Sequence, residues 1–250
     1  MNETWLYWVG CAAAFDQRNQ LIARAFTALL DQAGIPFVTL GTRERCCGDP
    51  ARRLGNEFLF QSLAEENTAA ILGTGAKHVV TACPHCYRVL KQEYELPAIE
   101  VLHHSELLAR LIAGGKLNAT SSPSGYGRTA YHDSCYLGRY EGIYREPRLA
   151  LSSVSGLQLV ELPRSGTDSF CCGGGGGRTF LEEPEGERIN HMRTDEAIGA
   201  GLNTLVTACP FCMTMLSDGA KDRGEPFTFL DLAEVLMQQM RAGQEATVDA

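Results

Sequence analysis

The chain has 250 residues, 44% of them hydrophobic and 21% charged, which suits a soluble globular protein with one large domain or two smaller ones. Its net charge of −8 comes without a basic cluster, so nucleic acid and anionic membrane are poor candidates as partners. No apolar run reaches the ~18 residues of a membrane span and no basic n-region precedes Trp5, so direct membrane insertion is not expected and the cytoplasm is the expected compartment.

In chain order, Trp5–Val9 reads as a strand ending at Gly10-Cys11, and residues 17–32 show helical spacing through Leu21, Ile22, Ala25, Phe26, Leu29 and Leu30. Pro36–Leu40 is a second strand, followed by a loop carrying Cys46 and Cys47. Leu54–Leu72 is a long helix, Lys77–Ala82 a strand running into Cys83, and a helix follows around Cys86. Ile99–Leu102 and Ser105–Ala113 supply a last strand and helix. Residues 115–128, rich in Gly, Ser, Asn and Thr, read as a linker. The order then repeats, with strands at Thr129–His132, Leu157–Leu162 and Asn203–Ala208, a helix at Glu187–Gly199, and a closing strand and helix over Phe227–Met240. The expected organisation is a first repeat over 1–114, the linker, a second repeat over 129–240 and a flexible tail over 241–250. Each repeat is expected to be α/β, a small mainly parallel sheet flanked by helices, with its cysteine loops at the carboxyl ends of strands, where such folds gather ligands.

The repeat is sharpest in the cysteines. Val80-Thr81-Ala82-Cys83-Pro84-His85-Cys86 returns as Val206-Thr207-Ala208-Cys209-Pro210-Phe211-Cys212, Cys46-Cys47-Gly48 as Cys171-Cys172-Gly173, and Cys11 as Cys135. All 10 cysteines are used, with equivalents 124 to 126 residues apart. A disulfide framework fits poorly, because disulfide-dense chains are usually small and secreted. Zinc takes four ligands and would leave one of five thiols idle in each repeat. A ferredoxin-type cubane draws four thiolates from one compact run, whereas here three loops give one, two and two sulfurs, so the spacing points to an iron–sulfur cluster of unusual shape. Gly48 and Gly173 remove a side chain beside the vicinal pair, letting backbone amides approach the cluster. Pro84 and Pro210 suit the first position of helices whose free amides face the sulfurs.

With these motifs the chain resembles the CCG-domain iron–sulfur proteins typified by the B subunit of heterodisulfide reductase, and related flavoprotein-linked oxidoreductases. The segments Tyr131–Tyr140 and Cys171–Arg178 look most like the latter. The resemblance implies two noncubane [4Fe-4S] clusters, one on Cys11, Cys46, Cys47, Cys83 and Cys86, the other on Cys135, Cys171, Cys172, Cys209 and Cys212. It also implies a subunit that reduces a disulfide or passes electrons within a complex, with the clusters facing each other across the interface of the halves. No C-x2-C-x2-C-x3-C-P ferredoxin run is present, so a ferredoxin-like or flavoprotein partner is expected to supply or accept electrons. Two alternatives stand beside this one: a non-catalytic relay between a flavoprotein and a quinone-linked partner, and a redox-silent zinc scaffold.

Three further residues are candidates for the chemistry. His85, between Cys83 and Cys86, and His132, three residues before Cys135, would donate hydrogen bonds to cluster sulfur or move protons. Their counterparts in the other repeat are Phe211 and Trp8. Arg178 would meet an anionic substrate or pair with Glu182 or Glu183. Gly173–Gly177 lacks the Gly-Lys-Ser/Thr ending of a phosphate loop. His103 and His104 read as structural.

Overall fold

A computed structural model describes residues 4–119, 125–183, 188–202, 204–224 and 227–248, with residues 241–248 as backbone. The first half runs β1 (Trp5–Trp8), α1 (Cys11–Phe15), α2 (Gln17–Gln32), β2 (Phe37–Val38), α3 (Asp49–Arg53), α4 (Glu57–Leu72), β3 (His78–Thr81), α5 (Pro84–Gln92), β4 (Glu100–His103) and α6 (His104–Ala113). The second runs β5 (Arg128–Tyr131), α7 (Gly138–Glu141), α8 (Arg145–Ser152), β6 (Gln158–Val160), α9 (Ile189–Gly199), β7 (Thr204–Thr207), α10 (Pro210–Arg223), β8 (Thr228–Asp231) and α11 (Leu232–Val248). Each half forms a four-stranded, wholly parallel sheet, in the orders β2-β1-β3-β4 and β6-β5-β7-β8.

Local chemistry accounts for these elements. Asp16 caps α2 by accepting from Asn19 N at 2.8 Å, and Ile22, Phe26, Leu29 and Leu30 make its buried stripe. Asn56 caps α4, which buries Phe60, Ala64, Asn67 and Ile71. The inner strands are covered on both faces, so they read as nearly continuous apolar runs. Chain order reverses direction between β1 and β3, and again between β5 and β7. That switch point opens a crevice at the strand carboxyl ends, and Cys11, Cys83, Cys135 and Cys209 all sit at it.

The halves are joined through one apolar core running from Trp5 to Met240. Across it, Arg18 makes a two-pronged ion pair with Glu234 at 2.8 and 2.9 Å, Asn19 bonds Thr214, and buried His104 meets buried Asp231 at 3.0 Å. The expected linker is partly core: Leu117 and Ala119 are buried, and Ala119 O accepts from Ser155 N. Residues 120–124 of that stretch, Glu187 and Asn203 lie outside the described residues. The backbone stays helical from Arg241 to Val248, where composition suggested a tail, and residues 249–250 lie outside the described residues.

Candidate metal centre

Five thiols gather at the crevice of each sheet. In the first half, Cys11 opens α1 directly after β1, with Gly10 ahead of it at φ +80°. A Cβ on Gly10 would lie 3.4 Å from Cys86 Sγ, so the glycine lets the strand end approach the thiols. Cys83 caps α5, Pro84 is its first residue, and Cys86 lies in its first turn. Cys46 and Cys47 arrive from the β2–α3 loop, whose end is pinned by Asn67, Nδ2 donating to Cys46 O at 3.0 Å. Side-chain contacts then run in a continuous chain, Cys11–Cys46–Cys47–Cys86–Cys83. The second half repeats it as Cys135–Cys171–Cys172–Cys212–Cys209, with Cys135 and Cys171 sulfurs 3.9 Å apart. All ten are free thiols.

Negative charge collects at the first cysteine of each vicinal pair. Hydrogen bonds from Cys11 and Cys47, then the Gly48 amide, hold Cys46 down to about 3, although burial opposes the charge. Cys135, Cys172 and Gly173 do the same for Cys171, down to about 2. The thiols beside them are pushed well up by that neighbouring charge and by burial. Gly48 and Gly173 donate their amides to Cys46 and Cys171 at 3.4 and 3.2 Å, and Cys212 N donates to Cys209 Sγ at 3.5 Å. Buried soft sulfurs already facing backbone N–H groups fit a thiolate-bound cluster.

Orphaned donors give the same indication. Trp8 Nε1 and His132 Nε2 are buried and have no hydrogen-bond partner among the described residues. Arg193 Nε donates to His132 Nδ1 at 3.2 Å, which places the imidazole proton on Nε2. Burial, then the Arg193 charge, presses this histidine down to about 3, so it stays neutral. One ring nitrogen of His132 and the sulfurs of Cys172 and Cys212 lie within 4.8 Å of one another. An acceptor seated among the thiols would satisfy such an N–H.

His85 is placed differently. Its Nδ1 bonds Asp49 Oδ2 at 2.9 Å, its ring stacks on Tyr136 at 3.8 Å and sits 4.7 Å from Phe211, and its other side reaches the Cys209 thiol. Burial works against its charge, but Asp49 and Cys209 together raise it to about 10. Tyr136 Oη in turn donates to Asp49 Oδ1 at 3.3 Å. Arg178 is not with this group: it pairs with Glu183 on the rim of a cavity of about 400 Å³ among whose lining residues there is no cysteine. A second cavity, of about 490 Å³, does reach the thiols and is lined by Cys11 and Cys46 with Val9, Phe15, Thr42 and Glu44. Glu44 accepts from Val9 N and Gly10 N, while burial raises it to about 7. Glu44, Asp49 and Tyr136 were not singled out by spacing, though each lies within two residues of a motif cysteine.

The cysteine-rich CCG domain model matches residues 5–91 and 129–217. The chain belongs to the CCG cysteine-rich domain family. This CCG protein is 44% identical over 247 residues to the EtfAB:quinone oxidoreductase of Syntrophomonas wolfei and 43% identical over 240 residues to the probable iron-sulfur-binding oxidoreductase FadF of Bacillus subtilis. It is 34% identical over 244 residues to a subunit of the dihydromethanophenazine:CoB–CoM heterodisulfide reductase of Methanosarcina barkeri. Each match takes in 94% of this CCG protein, which spans 34% of the length of the first two relatives and 58% of the third. Among its described residues, no helix is long and apolar enough to cross a membrane.

Proposed function

We propose that this chain is the cluster-bearing part of an iron–sulfur oxidoreductase, holding two noncubane [4Fe-4S] clusters, one on each five-cysteine set, and passing electrons within a multi-subunit complex. The observation that carries this reading is the pair of continuous thiol chains, each drawn from three loops at a strand-end crevice. Relatives named for EtfAB, quinone and heterodisulfide supply the partner classes: a flavoprotein or ferredoxin-like donor on one side and a quinone-linked acceptor on the other. A relative named a probable membrane-anchored ferredoxin, from Chromohalobacter salexigens and 40% identical, fits a module peripheral to a membrane complex.

When bound, the clusters supply one-electron steps. The protein's residues have separate tasks. Cys46–Cys47 and Cys171–Cys172 present adjacent sulfurs. Gly48 and Gly173 aim N–H groups at them, and the α5 and α10 termini after Pro84 and Pro210 add positive helix ends. His132 and Trp8 hold neutral N–H donors in dry surroundings, while His85 keeps a proton on Nδ1 against Asp49. Between the two sites stand His85, Tyr136 and Phe211, which favours electron passage over a substrate gripped there.

A second reading, reduction of a small disulfide, is favoured by the cavity bordering Cys11 and Cys46. Such a step takes two electrons from the donor subunit and two protons from solvent, and yields two thiols.

The test is iron, acid-labile sulfide and zinc content of anaerobically purified protein, with EPR. About eight irons per chain, four for each cluster, is the expected result; zinc without sulfide would leave only a scaffold. A change in the cluster spectrum on adding a soluble disulfide would promote the second reading, and its absence the relay.

A further inference from the structure

His85 lies in the first repeat's Cys-Pro-His-Cys turn, two residues from one proposed ligand and one from another, yet its ring is spent on the second site. It stacks on Tyr136, the neighbour of Cys135, packs beside Phe211 between Cys209 and Cys212, and reaches the Cys209 thiol. Its Nδ1 is held by Asp49, which directly follows the first Cys-Cys-Gly, so Nε2 is the nitrogen left for Cys209. Asp49 is itself 2% exposed and clamped by Arg53 at 3.0 Å and Tyr136 at 3.3 Å, so the imidazole is locked from behind.

We propose that His85 is a positioning residue that sets the reduction potential of the opposite site: the first repeat furnishes an N–H donor to Cys209, and the second repeat returns none. The equivalent of His85 is Phe211, which packs against apolar residues of both halves but offers no donor to Cys83. Two nearly identical cysteine sets are thereby made unequal. A donor to a ligand sulfur favours the reduced, more negative cluster, so the second site is the better electron acceptor and electrons settle there. The proposal rests on the reading that both sites hold clusters.

The experiment is a potentiometric titration followed by EPR on the full chain, with C47A and C172A used to assign signals to the first and second sites. In H85F, which copies the residue of the other repeat, the second-site equilibrium should move about tenfold toward the oxidised form, or ~59 mV for one electron. The first-site potential should move much less, although His85 lies in that site's own turn. H85Q, which retains an N–H, should recover most of the loss. Equal shifts at both sites, a shift confined to the first, or no shift would each overturn the proposal. If H85F does not load iron, H85M of similar bulk replaces it, and loss of only first-site iron in both variants would assign His85 to its own site and overturn the proposal too. Wild-type protein lacking iron at either site would be seen before any variant is made, and would remove the underlying reading as well.

Discussion

Trp8 and His132 stand three residues ahead of Cys11 and Cys135, at matching places in the two sheets: Trp8 pairs with Thr81, and His132 N donates to Val206 O just before Thr207. Both bury an N–H without a partner among the described residues, an arrangement that costs about 1–3 kcal/mol for each donor. The cost is relieved once an acceptor occupies the site. W8F should therefore leave the stability of the metal-free, reduced protein nearly unchanged, while lowering the potential of the first cluster by roughly 40 mV, the equivalent of one modest hydrogen bond. H132F should lower the second potential similarly but also destabilise the metal-free protein, because buried Arg193 loses the acceptor for its Nε. Urea unfolding of the metal-free variants and redox titration of the loaded ones separate these effects. Destabilisation by W8F with no change of potential would make Trp8 an ordinary core residue.

Each Cys-Cys-Gly loop is clamped to a helix by its glycine. Gly48 has φ +86°, and a Cβ there would lie 2.8 Å from Phe60 Cδ2 on α4; Gly173 has φ +92° and would press Ile189 Cβ on α9 at 3.1 Å. Alanine at either position meets left-handed strain of about 1–2 kcal/mol plus the clash. G48A should lose iron from the first site and keep the second, and G173A the reverse, as read from iron content and EPR; retention of both clusters in both variants would sink the clamp. The motif glycines were legible as sequence, and so were the repeat, the parallel sheets and the bounds of α2, since spacing carries all of these. The clamping partners were not. α3 escapes periodicity because it is five residues long, capped by Gly48, with charged Asp49 buried against Arg53, His85 and Tyr136. α8 is broken in pattern by Pro147 and by Arg148, whose guanidinium spans Asp133 and Glu161. The His85–Cys209 contact joins residues 124 positions apart, so only the folded topology produces it.

For the whole molecule, the decisive feature is that two duplicated sheets share one core and are crossed by the Arg18–Glu234 pair, whose carboxylate side chain is only 8% exposed. A shared core predicts one unfolding transition. Both tryptophans, Trp5 and Trp8, lie in the first half, so their fluorescence should change at the same denaturant concentration as the far-UV signal of the entire chain. R18M removes one partner and leaves a buried carboxylate, which should cost about 3 kcal/mol without splitting the transition. The pH dependence has a definite sign. Burial raises Glu234 above its ordinary value even with Arg18 and the Asp231 amide opposing it. Between the unfolded value near ~4.3 and the raised folded one, the native state binds more proton than the unfolded state, so this group's contribution to stability falls as pH rises through that window. Without Arg18 the folded value climbs further and the window extends upward. The deficit of R18M should therefore be small near pH 5 and grow toward pH 8, and E234Q should abolish that growth when combined with it. Denaturant titrations of the metal-free, reduced proteins across this range check the prediction; a deficit independent of pH would mean that Arg18 acts through its apolar stem and its bond to Phe229 O, not through the buried charge.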